Sequence, residues 1–211
     1  MSWKNRAGGW IIMLERKIMS NTEQYAGNLA TVVYQNSFHG RQRQKQALAS
    51  ALVEWASDSN LFMTFKFAQG SQTSEERALK ALCLFWNKMD RIWYSKSQIR
   101  HGYRIPRVCF IHKGSSGENV HVHALAKATD VPVFNKIARN AWASSDKFSF
   151  DLHIEPVRNL QACCNYLTHE YTKLGSDSFL GTVSHIPANK CRFQPKQTMS
   201  QLKRLLQAHY R

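Results

Sequence analysis

Along this chain apolar residues either alternate with polar ones or recur every three to four positions, and each spacing predicts an element. Arg41 to Ala56 places Leu48, Leu52 and Trp55 on one stripe, which predicts a helix with basic residues in its first turns. Asn60 to Phe67 is an aromatic-rich strand that stops at Gln69-Gly70. Thr73 and Glu76 have the spacing of a capping box. The helix it opens repeats Leu79, Leu82, Trp86, Met89 and Trp93, with Lys80, Arg91 and Lys96 on its other face. Arg104 to Lys113 is a strand, Gly114-Ser115-Ser116-Gly117 a turn, and Asn119 to Leu125 the returning strand. Val131-Pro132 starts a helix through Ala143, Phe148 to Val157 alternates as a strand, and Asn159 to Leu174 reads as one helix closed by Gly175.

Outside this series, Ala30 to Tyr34 is a short strand candidate, residues 1 to 22 read as an arm, and a basic helix spans about Gln197 to His209. The order predicts an α+β fold, a split β-α-β-β-α-β arrangement whose central antiparallel sheet is covered by helices on one face. Three segments follow: an arm and helix over 1–57, a core over 58–175, and a basic extension over 176–211.

Charge narrows the class of partner. A formal net charge of +15 on 211 residues points to a polyanion, nucleic acid before membrane. From Arg77 to Lys113 nine Lys/Arg face a single acid, Asp90, and no acid follows Asp177; such blocks predict a phosphate-tracking surface. Five cysteines (Cys83, Cys109, Cys163, Cys164, Cys191) without a Cys-x-x-Cys pair argue against a disulfide framework or zinc knuckle and for a reducing compartment. The apolar run Gly8 to Leu14 is too short to span a membrane and lacks a following cleavage site. The expected location is the cytoplasm of a bacterium, on DNA, or a eukaryotic nucleus.

Candidate chemistry centres on the returning strand. Side chains on a strand alternate in direction, so His121 and His123 share one face while Val120, Val122 and Ala124 pack behind them. Two imidazoles hold a catalytic metal poorly, and a third donor is needed. If Lys113 pairs with Val120, His112 stands directly opposite His121; only an odd slip in register turns it away, and Glu118 is then the fallback ligand. On the Asn159–Leu174 helix, 100° per residue groups Leu160, Cys163, Cys164, Leu167 and Tyr171 on an apolar stripe, and Tyr166, His169, Glu170 and Lys173 on a polar one. Tyr166 is thus the tyrosine placed to meet a phosphate.

These residues together resemble the HUH endonucleases, in particular the single-tyrosine rolling-circle replication initiators and related transposases, over roughly residues 58–175. Phe62-Met63-Thr64 looks like their first motif and His121-Val122-His123 like the second. Tyr166 to Glu170, after the strand end Ile154-Glu155-Pro156-Val157, resembles the third. The likeness implies His121, His123 and His112 as ligands of Mg²⁺ or Mn²⁺, with histidine leaning towards manganese. It implies Tyr166 as the nucleophile, leaving a 5′-phosphotyrosine bond and a free 3′-hydroxyl. Where the family carries a lysine three residues after the tyrosine, this chain has His169, and Lys173 is the available substitute.

The implied partner is single-stranded or hairpin DNA, held by basic segments 77–113 and 190–211, with Phe65, Phe67 or Trp142 as stacking candidates, although most of these aromatics are expected in the core. No Gly-x-x-x-x-Gly-Lys phosphate loop occurs, so a host helicase and polymerase are expected partners. Two other readings use the same residues: a non-catalytic nucleic-acid-binding module, and a metal-dependent hydrolase that employs water.

Overall fold

Period-two alternation on the first strand sends its side chains to two different apolar surfaces, and the fold is built on that division. The computed structural model describes residues 38–67, 73–114, 117, 119–146 and 149–186, with backbone alone at 149–150. The expected arm, the Ala30–Tyr34 strand, the Gln197–His209 helix and Glu118 lie outside the described residues. Strand β1 is Leu61–Phe67, β2 Arg107–His112, β3 His121–Ala126 and β4 Ser149–Pro156. The helices are α1 Phe38–Trp55, α2 Glu75–Trp93, α3 Lys96–Arg100, α4 Val131–Ala143, α5 Leu160–Leu167 and α6 Tyr171–Leu174, followed by a 3₁₀ turn, Gly175–Ser178.

The four strands form one antiparallel sheet in the order β2-β3-β1-β4. This is an α+β fold. Because β3 runs antiparallel to both β1 and β2, those two are parallel with β3 between them. By the same reasoning β3 and β4 are parallel with β1 between them. Each crossover therefore skips one strand, as a split β-α-β arrangement requires. Right-handed crossovers place both connecting helices on one face. Leu61, Met63, Phe65 and Phe67 accordingly join Leu82, Phe85 and Trp86 of α2 and Phe134 and Trp142 of α4 in the larger core.

That core is aromatic. Phe65 meets Phe85 and Trp142 edge-on, both at 5.0 Å between centroids. Phe65, Trp86 and Trp142 are fully buried, each stabilising the fold by roughly 1.5–3 kcal/mol or more. Phe65, Phe67 and Trp142 are thus core side chains, as expected for most of these aromatics, and base stacking by any of the three is corrected.

Helices cover one face only in part of the expectation. The opposite face carries Phe62, Val108, Phe110 and Leu125, an apolar patch too large to leave in water, and α1 and α5 bury it through Leu48, Leu52, Cys164 and Leu167. Two boundaries also move. Ser74, one residue after Thr73, caps α2 by accepting from the Arg77 amide at 3.2 Å. Extended backbone at Tyr94 ends α2, and a full capping box of Ser95 and Gln98 starts α3, so Lys96 is not on α2.

The basic segment 77–113 does not present a single surface. Arg107 donates to both carboxylate oxygens of buried Asp90 at 2.8 and 3.1 Å and lies 4.5 Å over the Trp86 ring. Arg104 reaches Asp90 at 3.4 Å, and Lys113 pairs with Glu75. These charges hold α2 against β2. Among the described residues no helix is long and apolar enough to cross a membrane.

Candidate active site

Glycine turns the β2–β3 hairpin: Gly114 takes φ of +70°, a conformation other residues rarely adopt. The turn sets the register, and His112 stands directly across from His121. His112, His121 and His123 therefore share a face, the one not covered by α2 and α4. One ring nitrogen from each lies within 4.8 Å of the other two. His112 and His123 are buried and His121 half-buried, so the set opens to solvent on one side.

Each ring has an oxygen partner on its far side. His112 Nε2 donates to the Leu167 carbonyl at 2.9 Å and His121 Nδ1 donates to the Asn119 carbonyl at 2.8 Å. A carbonyl only accepts, so those nitrogens carry the protons and His112 Nδ1 and His121 Nε2 keep lone pairs. His123 Nδ1 lies 3.0 Å from the Thr64 hydroxyl, which can accept its proton and leave Nε2 as the free donor atom. His112 Nδ1 and His123 Nε2 are buried without a hydrogen-bond partner. Buried polar atoms are seldom left so, and lone pairs held towards one point by oxygen partners behind the rings are how imidazole ligands are oriented. The three residues fit a divalent metal.

Protons do not compete for two of these rings. Burial, reinforced by the charges of His112, His121, His169 and Lys66, lowers His123 to about 2. Burial likewise lowers His112, against the opposing pull of the Leu167 carbonyl and Glu170. Both are neutral near pH 7, the form that binds metal. A set of three nitrogens without a carboxylate favours manganese or a later transition metal over magnesium.

Tyr166 arrives from the neighbouring helix. Asn159 caps α5 by accepting from the Ala162 amide, and Cys164 and Leu167 bury its inner side. Its outer side leaves Tyr166 half exposed, at 50%. The phenol ring lies 4.9 Å from His123 and 5.8 Å from His112 between centroids, and 6.0 Å from Phe62. Phe62 in turn stacks on His123 at 5.5 Å. His169 stacks on Tyr166 at 5.8 Å with 13° between the planes, and lies 5.1 Å from His112. The structure thus assembles His112, His121, His123, Tyr166 and His169.

Beyond Leu167 the helix expectation fails. Thr168 is the C-cap of α5 and its hydroxyl donates back to the Cys164 carbonyl at 3.0 Å; α6 starts afresh at Tyr171. A fixed 100° step no longer applies across such a break. Lys173 is exposed on α6, beyond the break, so the helical phase that grouped it with Tyr166 does not carry across to it. Tyr171 packs against the smaller core, as expected.

Glu170 is the residue whose role the sequence hid. Rather than facing solvent it is buried, accepting from the amides of Lys113 at 2.8 Å and Gly114 at 3.0 Å. With the Leu167 carbonyl on His112, it fastens the tyrosine helix to the hairpin that bears two of the imidazoles. Burial alone would raise its carboxyl, but those amides and the neighbouring His112 charge prevail and lower it. A Gly-Ser-Ser-Gly turn followed at a distance by a lone glutamate gives no local sequence signal for this clasp. Glu170→Gln keeps one acceptor oxygen and leaves one amide unpaired, so urea unfolding is expected to show a loss of about 1–3 kcal/mol.

No family model, curated protein or solved structure matches the chain.

Proposed function

We propose that this protein is a metal-dependent nicking and joining enzyme of the HUH endonuclease type, acting on single-stranded or hairpin DNA through a covalent tyrosine intermediate. The observation that carries the reading is the convergence of three oriented imidazoles with one exposed phenol on a single sheet face. The split β-α-β sheet agrees with the fold that the motif likeness implies.

His112, His121 and His123 would hold the Mn²⁺ or Mg²⁺ ion. When bound, such an ion polarises the scissile phosphodiester and stabilises charge gathering on its non-bridging oxygens. The Tyr166 hydroxyl attacks phosphorus, forming the Oη–P bond as the P–O3′ bond breaks. Its proton is lost to a base, and His169, stacked beside the ring and outside the three-imidazole set, is positioned to take it. The departing 3′-oxygen gains a proton and becomes a free hydroxyl. Energy stored in the phosphotyrosine bond permits later rejoining, the reaction that rolling-circle replication or replicative transposition needs.

Labelled single-stranded oligonucleotides incubated with the protein and Mn²⁺ should give a denaturation-resistant adduct. Tyr166→Phe is expected to abolish it, and a chelator is expected to do the same to the wild type. A protein that binds DNA equally well with chelator and never forms the adduct is instead the non-catalytic module. Cleavage that survives Tyr166→Phe points to water as nucleophile.

A further inference from the structure

Three imidazoles and a divalent ion, with no carboxylate in that set among the described residues, leave a net charge of +2, and one more cation stands beside them. Lys66 is the Cα partner of His121 in the β1–β3 ladder. Phe62, Thr64 and Lys66 alternate with the buried Met63 and Phe65, so Lys66 shares the imidazole face. An irregularity in pairing lies between β1 and β4 near Phe65–Phe67, but the ladder to β3 runs in register through Lys66. Its side chain is exposed and makes no ion pair among the described residues. Acids of the next strand are engaged elsewhere: Glu155 with His153 at 2.6 Å and Asp151 with Arg139 at 3.9 Å. The buried Glu170 is held by two backbone amides.

We propose that Lys66 binds a phosphate of the single-stranded DNA beside the metal site, supplying a fixed positive charge from strand β1. This rests on the nickase reading for the identity of the strand. Lys173 is exposed on α6, beyond the break that ends α5. A lysine beside an ion is electrostatically costly unless an anion joins them, and a phosphodiester is the anion of this site. Metal and DNA should therefore bind with positive coupling, each raising the affinity for the other.

Lys66→Met keeps the aliphatic stem and removes the charge, and Lys66→Arg restores a cation. Lys136→Met, exposed on α4 on the other side of the sheet and outside both basic segments, is the control. Mn²⁺ titration of the DNA-free protein and fluorescence anisotropy of a single-stranded oligonucleotide, across a salt series in chelator, are the readouts. Lys66→Met is expected to weaken DNA binding about tenfold and to reduce the salt slope by about 0.7. The same variant should bind Mn²⁺ several-fold more tightly, a gain that loss of structure would not produce, and Lys66→Arg should reverse both changes. The proposal is overturned if Lys66→Met matches Lys136→Met in DNA binding, if its Mn²⁺ affinity stays level or falls, or if wild type takes up no Mn²⁺ or no DNA. Failure of the nickase reading shows differently: wild type then forms no adduct while the Lys66 effects persist.

Discussion

His123→Ala is expected to abolish Mn²⁺ binding and, with it, single-strand nicking. The ring supplies a buried Nε2 with no hydrogen-bond partner, the atom most plainly reserved for an ion. Removing one of three ligands leaves two, too few to hold a catalytic ion. Thermal melts give the clearest readout. Ligand that binds only the folded state stabilises it by RT ln(1 + [L]/Kd), about 2.7 kcal/mol at a hundredfold excess over Kd. Wild type should melt higher with Mn²⁺, and His123→Ala should melt at one temperature with or without it. Its metal-free stability is expected to fall by only about 1–2 kcal/mol, because the substitution removes an unsatisfied polar atom along with the packing. His153→Ala supplies the contrast. That imidazole lies on β4, 52% exposed and paired with Glu155, and its loss should leave the Mn²⁺ shift intact.

Acid is expected to begin destabilising the protein well above the pH at which carboxylates protonate. Burial lowers His123 to about 2 and His185 to about 3, and it lowers His112 in the same direction. Unfolded, each returns to its ordinary value of 6.5. Below that pH the unfolded chain takes up protons the folded chain refuses, so stability is full above 6.5 and falls as pH drops towards the folded values. Each histidine contributes a slope of about 1 kcal/mol per pH unit. The slopes of His123 and His185, with His112 adding in the same direction, consume much of a typical stability of about 5–15 kcal/mol by pH 4. Glu170, lowered in the fold, adds loss of the same sign once pH falls below its ordinary carboxylate range. Urea denaturation between pH 7 and pH 4.5 measures the slope, and His123→Gln should reduce it by one proton. A stability that stays flat from pH 7 to pH 5 contradicts the burial of these rings as neutral groups.

Parity explains why so much of the site could be read from the chain. A strand side chain has two directions only, so once the glycine turn placed Lys113 near Val120, His112 had to face with His121 and His123. The α2 stripe was equally plain, since Leu82, Trp86, Met89 and Trp93 repeat at helical spacing and all are buried. Sidedness of whole helices was not legible. An amphipathic stripe says that α1 and α5 are buried on one side but not which face of the sheet receives them. The break after Leu167 was hidden as well: Thr168, His169 and Glu170 are tolerable helix residues, and only the Thr168 hydroxyl on Cys164 and the Glu170 carboxylate on the hairpin end the helix there. Extrapolating helical phase through that break misplaced Glu170. Lys66 went unremarked because a lysine on an exposed strand face is ordinary until its ladder partner proves to be His121.

Trypsin releases residues 159–173 as a single peptide holding both Tyr166 and Tyr171, so fragmentation of the covalent product can place the nucleotide on one ring. With a single-stranded substrate and Mn²⁺, the added mass is expected on Tyr166 through a 5′-phosphate, and the released oligonucleotide should end in a 3′-hydroxyl. Mass on Tyr171, or cleaved DNA beside an unmodified protein, would show that the phenol facing the three imidazoles is not the attacking group.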